Sequence, residues 1–324
     1  MHLRAGSLRP YGNHVFERGS ERPRHPLESR RIQSVSDLLE LQRRIPLGGS
    51  SGVDIRAHGL RSYLSTLHAA LEANLSPLAP VRLLVLTKDD WASAAPYPFG
   101  FTFFRRLRDG SGVIFAPDVY PGNLLWVFKA VVMRAGGRTP GTVEEFLDYT
   151  LGHELGHAIA DQLGLRTKVR WLDEFLATYF YLCALKSAMP DAYSRVLRWG
   201  EIFASSRIDC ALADSVINTT VLTKPSGSRK RVTARREQRA TDVTLERTDL
   251  GAFEYPLVRL PLANQAWYQA RFTLYASEIL ERRGWDFIRD ALETLPSASG
   301  RGGVSRAIVR LEPGFKDWFR SFGD

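Results

Sequence analysis

The sequence predicts an α+β fold arranged as two lobes. Three observations point to it. Apolar strand-like runs are confined to residues 81–116, a sharply capped helix follows them, and helical patterns dominate from there to the end of the chain.

The chain has 324 residues, of which 44 % are hydrophobic, enough for a real core in one large domain or two moderate ones. No apolar run is long enough to span a bilayer, so no membrane span is expected. The first residues, Met1-His2-Leu3-Arg4-Ala5-Gly6, carry no hydrophobic leader segment, and the expected location is the cytoplasm. Two cysteines, Cys183 and Cys210, cannot build a disulfide framework for a chain of this size. Cys183 lies in an apolar stretch and is expected as a buried, inert thiol. The net charge of +9 is carried mainly by arginines in two segments. That distribution fits basic tails on a neutral body better than one nucleic-acid-binding face.

Residues 1–52 form an arginine-rich extension, expected to be partly disordered, with one short helix at Val35–Leu41. The folded body is expected over 53–324. Residues 55–75 place Leu60, Leu64, Leu67 and Leu71 at helical spacing. Val81–Leu86 reads as a buried strand. Gly100–Phe104 and Gly112–Ala116 read as two more strands, joined through the turn Asp109-Gly110-Ser111-Gly112. Residues 124–135 read as a helix. Thr142, with Glu145 three residues on, forms a capping-box pattern for a helix running to about Leu163, where Gly164 ends it. A further helix spans about Trp171–Met189 and stops at Pro190. Residues 225–248 read as a basic, flexible insertion, a solvated loop first and a nucleic-acid contact second. Helical periodicity resumes near Asn264.

The capped helix contains His153-Glu154-Leu155-Gly156-His157. Histidines at i and i+4 share a helix face, and their Cβ atoms lie about 5–6 Å apart. Two imidazoles so placed can reach one ion, and zinc accepts nitrogen at about 2.0–2.1 Å. Glu154 would stand beside a metal-bound water as its general base. The ordinary alternative is a pair of surface histidines. The apolar setting of Phe146, Leu147, Leu151, Leu155 and Ile159 argues against it, because clustered polar groups there need partners. Gly152 and Gly156 each cost a helix about 1 kcal/mol relative to alanine, so something must require close backbone approach.

A third ligand is sought in the next helix, which begins Trp171-Leu172-Asp173-Glu174-Phe175-Leu176-Ala177-Thr178-Tyr179. Glu174 lies 174 − 157 = 17 positions after His157 and would face the histidines if that helix folds back. Asp173 is the fallback, and a mere helix-dipole role for Glu174 is the alternative.

Together these two segments resemble the gluzincin, or peptidase-MA-like, superfamily of zinc metallopeptidases. Aminopeptidase-N-like enzymes carry a similar Trp-Leu-Asn-Glu-Gly-Phe-Ala stretch at slightly longer spacing. The resemblance implies Zn2+ held by His153, His157 and Glu174. It also implies a two-lobed, thermolysin-like zincin fold: a first lobe with a small mixed sheet plus the active-site helix, and a mainly helical second lobe. An edge strand preceding the active helix would bind extended peptide, and Gly112–Ala116 occupies that place. No Gly-x-Met-Glu-Asn motif is present, so exopeptidase action has no support in the sequence. Such enzymes supply a tyrosine or histidine from a later helix to the oxyanion. Tyr268 is favoured here over Tyr275, with an aromatic core role as the alternative.

The expected activity is metallo-endopeptidase action on a peptide or protein substrate. Two rivals accompany it. One is a regulatory metallopeptidase cutting a single intracellular protein, because Glu174-x-x-Ala177-x-x-Phe180 more loosely resembles the phage-repressor-inactivating metallopeptidases. The other is a non-catalytic zinc protein that binds nucleic acid through its basic segments. That would need a fourth protein ligand to close the site, and none lies nearby in sequence.

Overall fold

A computed structural model describes residues 43–167, 169–205, 262–298 and 300–322. The short helix expected at 35–41, Cys210 and the basic insertion at 225–248 lie outside the described residues.

The architecture is α+β: a small mixed sheet beside a larger helical assembly. The sheet is built from β1 (Leu47–Gly49), β2 (Val81–Leu86), β3 (Phe103–Arg106) and β4 (Gly112–Pro117), in the order β1-β2-β4-β3. β1, β2 and β4 run parallel, and β3 closes one edge antiparallel to β4. The β3–β4 turn falls where the Asp-Gly-Ser-Gly run places it. Gly110 takes φ +83°, and Asp109 accepts from the Ser111 amide at 2.9 Å.

Two sequence expectations need correction here. Gly112–Ala116 is an interior strand, buried along its whole length, because its alternate backbone groups pair with β2 on one side and β3 on the other. The edge is β3. The body also begins before residue 53. Ile45 is fully buried, and Leu47–Gly49 pairs in register with Leu83–Val85. Three strand residues, two of them glycines, flanked by Pro46 and Ser50-Ser51-Gly52, are too few to show a period-two pattern, so this strand is visible only through its partner.

The helices are α1 (Asp54–Asn74), α2 (Lys88–Ala94), α3 (Gly122–Arg134), α4 (Val143–Tyr149), α5 (Leu151–Gln162), α6 (Arg170–Ala188) and α7 (Pro190–Ser205). They are followed by α8 (Leu262–Arg283), α9 (Asp286–Thr294), α10 (Gly300–Leu311) and α11 (Phe315–Arg320). α6 is the centre of the molecule. It is buried on all sides from Phe175 to Leu185, as expected of a helix apolar around its whole circumference. It packs on α1, α5, α7 and α8. Pro190 stops α6, and its fixed φ also opens α7, a helix absent from the sequence reading. Among the described residues no helix is long and apolar enough to cross a membrane.

The single helix expected from Thr142 to Leu163 is two helices joined at Thr150. Thr142 caps the first as expected, accepting from the Glu145 amide at 3.0 Å. The reciprocal half of the capping box does not form. The Glu145 carboxylate is engaged by Tyr149 and Arg195 instead. At the junction the Tyr63 hydroxyl donates to the Tyr149 carbonyl at 2.8 Å, taking the acceptor that the His153 amide would use in an unbroken helix. The His153 amide turns to Thr150 O at 3.0 Å, and the Thr150 hydroxyl bonds back to Leu147 O. The histidine motif therefore opens a fresh helix whose direction is set by Tyr63 on α1.

Candidate metal centre

Gly152 and Gly156 bring α5 against α6. A Cβ on Gly156 would lie 2.1 Å from the Ala177 carbonyl oxygen, and one on Gly152 would lie 2.4 Å from the Tyr181 ring. The two glycines and their two neighbours are each four residues apart, so the helices touch along matching faces. This close approach is what the two glycines allow.

Across that contact, His153 and His157 on α5 face Glu174 on α6. Their Nε2 atoms lie 3.1 Å and 3.4 Å from the same Glu174 oxygen, Oε2. The three residues form a group whose ligand atoms all lie within 4.8 Å of one another. Two ligands at zinc distances with a tetrahedral angle between them would stand about 3.3 Å apart. The spacing therefore fits a small tetrahedral ion. No fourth His, Cys, Asp or Glu among the described residues joins the group, so it matches an open three-ligand site rather than a closed one. His58 and His68 lie on α1 and bond Arg61 and the Ala79 carbonyl respectively.

The neighbours of the group settle which histidine nitrogen faces it. The Thr178 hydroxyl donates its one proton to the Glu174 carbonyl at 2.9 Å. Toward His153 Nδ1, 3.1 Å away, it can then only accept, so Nδ1 carries the hydrogen and Nε2 presents its lone pair to the cluster. That is the tautomer a metal needs. Thr178 lies four residues after Glu174, one helical turn on. Helical spacing alone could have identified it once Glu174 was chosen.

Glu154 stands apart from these three residues. One of its carboxylate oxygens accepts from the Phe104 amide on β3 at 2.8 Å. The sheet edge thus fixes the orientation of this side chain. Asp173, the fallback ligand, does not join the group. It accepts from the Thr167 amide and hydroxyl at 2.8 Å and 2.7 Å and holds the chain as it enters α6. Tyr268 is 1 % exposed, its ring stacked on Phe322 and edge-on to Trp267. This is the aromatic-core placement. Tyr275 stacks on Trp318 in the same core. The α8 residue that reaches the cluster is Gln269, which donates to Glu174 Oε2 at 2.7 Å. No sequence signal marked it, because its partner lies 95 residues earlier.

Electrostatics follow from this crowding. Burial lifts the Glu154 carboxyl above its ordinary value, outweighing the pull of His157 and His153. Burial also opposes charge on Glu174, but the charge of His157 and its hydrogen bond hold it well below the usual carboxylate range. Burial pulls His157 down, yet the Glu174 carboxylate prevails and pushes its pKa up to about 9.

A pH prediction follows for the metal-free protein. His157 binds its proton more tightly folded than unfolded, so its stabilising contribution is complete below about 6.5 and is lost as pH rises through about 9. A bound metal needs the neutral imidazole and removes that loss. The melting-temperature gain on adding zinc should therefore widen between pH 6.5 and pH 9. A gain that is flat or shrinks across this window in thermal melts would mean that His157 is not paired with Glu174 as described.

No protein-family model, curated protein or solved structure matches the chain.

Proposed function

We propose that the protein is a zinc-dependent metallo-endopeptidase of the gluzincin kind, its α+β body a two-lobed zincin-like domain. The observation that carries this reading is the convergence of His153, His157 and Glu174 from two separate helices, with Glu154 beside them and anchored to a sheet edge. Bound there, zinc would supply Lewis acidity to a scissile carbonyl and to the attacking water.

The remaining roles belong to the chain. Glu154 accepts the proton of the attacking water and passes it to the leaving amine, and burial, which raises its proton affinity, favours the first of these transfers. β3 is the sheet edge beside Glu154, so an extended peptide can add to it as a further strand. The Phe104 amide is already engaged by Glu154, which leaves the Phe104 carbonyl and the outward backbone groups of Arg106, two residues on, for that pairing. Thr178 sets the His153 tautomer, and Asp173 holds the loop before α6.

Metal analysis and cleavage of a mixed peptide library test the proposal together. We expect about one zinc per chain and chelator-sensitive cleavage. Glu174→Ala should lose the metal, whereas Asp173→Ala should keep it and lose only local stability, since its carboxylate serves Thr167. Zinc retained at full occupancy in Glu174→Ala, or lost only in Asp173→Ala, would overturn the ligand set.

A further inference from the structure

A further residue touching the cluster, Gln269, comes from a part of the chain that the histidine motif does not predict. Its amide nitrogen lies 2.7 Å from Glu174 Oε2, the oxygen that also faces both histidine nitrogens. A carboxylate only accepts, so the amide presents its N–H side there. α8 packs along α6, which makes this contact part of a helix–helix interface rather than a chance surface meeting.

From this geometry we infer that Gln269 is a positioning residue for the metal, and that through it metal binding is coupled to the seating of α8. The inference rests on the metal reading above. An ionised carboxylate oxygen has room for two partners. Gln269 occupies one place, and the two histidine nitrogens, 3.1 Å and 3.4 Å from the same oxygen, mark where an ion would take the other. Without the amide, the Glu174 carboxylate rests on its contacts to the histidines, which a metal ion replaces, and holding it in place then costs part of the binding energy at every metal encounter. With it, the third ligand is held in place by α8 before the ion arrives. Binding linkage is reciprocal, so an ion that favours this arrangement must also favour the seated α8.

The test uses the full chain and zinc itself. Gln269→Met keeps the length of the side chain and removes the donor. We expect its zinc dissociation constant to rise about 10–100-fold, the usual consequence of losing a partner of a metal ligand. In a Glu174→Ala background the same substitution should change the residual affinity by no more than about twofold, because the group it acts on is gone. Cobalt-substituted Gln269→Met should show a shifted visible absorption band, a sign of altered ligand geometry that overall destabilisation would not produce. In hydrogen exchange, zinc should protect the α8 amides of the wild-type protein and protect those of Gln269→Met much less.

Equal zinc affinity in wild type and Gln269→Met, or equal losses with and without Glu174, would overturn the inference and leave the peptidase reading intact. Zinc-induced protection of α8 that is the same in both proteins would overturn the coupling. A wild-type protein that binds no zinc would remove the metal reading and the inference together, so the two failures are distinguishable.

Discussion

Glu154→Gln is expected to keep its zinc and lose peptide hydrolysis, with kcat/KM falling about 10²–10⁴-fold, the contribution of a positioned general base. The substitution separates chemistry from architecture. The Gln amide oxygen can still accept from the Phe104 amide, so the link between α5 and β3 survives and the fold should not suffer. The amide cannot take a proton from water at any accessible pH. The three candidate ligands are untouched, because Glu154 does not belong to the group that could hold the ion. Zinc content by mass spectrometry and cleavage of the peptide library check both halves. Cleavage persisting in Glu154→Gln would end its assignment as base. Loss of the metal would instead place Glu154 among the ligands.

The second large effect is expected from a single methyl group. Gly156→Ala puts a Cβ 2.1 Å from the Ala177 carbonyl oxygen, inside any allowed contact, and the obstacle is backbone that no rotamer change can move. α5 and α6 must part. Overpacking of this kind costs about 1–3 kcal/mol and occasionally more. The better helix propensity of alanine returns about 1 kcal/mol of that. The metal suffers beyond the stability loss, because the histidines stand on one helix and Glu174 on the other. A site tolerates displacements of only about 0.5 Å before its geometry fails. We expect a lower melting temperature and zinc affinity reduced about 10-fold or more. Both are measurable on one preparation by thermal melts with and without zinc. Unchanged values would mean that the two helices are not in backbone contact at this point.

What was legible in the sequence has local causes. The histidine pair needs only the period of one helix. Glu174 needs only a chain reversal between two helices, and Gly164 signals one with its φ of +74°. The apolar run from Phe175 to Leu185 announces a helix buried on every side. The two glycines imply a close neighbour without naming it. Strand β2 was readable to the residue, and α1 and α6 to within one residue, for the same reason: periodicity and end signals act over a few positions.

What the sequence alone did not decide depends on partners far along the chain. The Thr150 break requires the Tyr63 hydroxyl, 86 residues before the carbonyl it takes. β1 exists because β2 offers it an edge. The interior place of β4 follows from having a neighbour on both sides, a property of the sheet and not of its own residues. Tyr268 and Gln269 are adjacent on one helix, yet one turns into the aromatic core and the other reaches Glu174. Successive residues on a helix point about 100° apart, so only the seating of α8 against α6 decides which of the two faces the metal centre. By itself the sequence determined which residues can hold an ion, because ligand chemistry and helical spacing are local. Which groups hold those ligands in place was decided only by tertiary packing, because a hydrogen bond across two helices depends on where both of them lie.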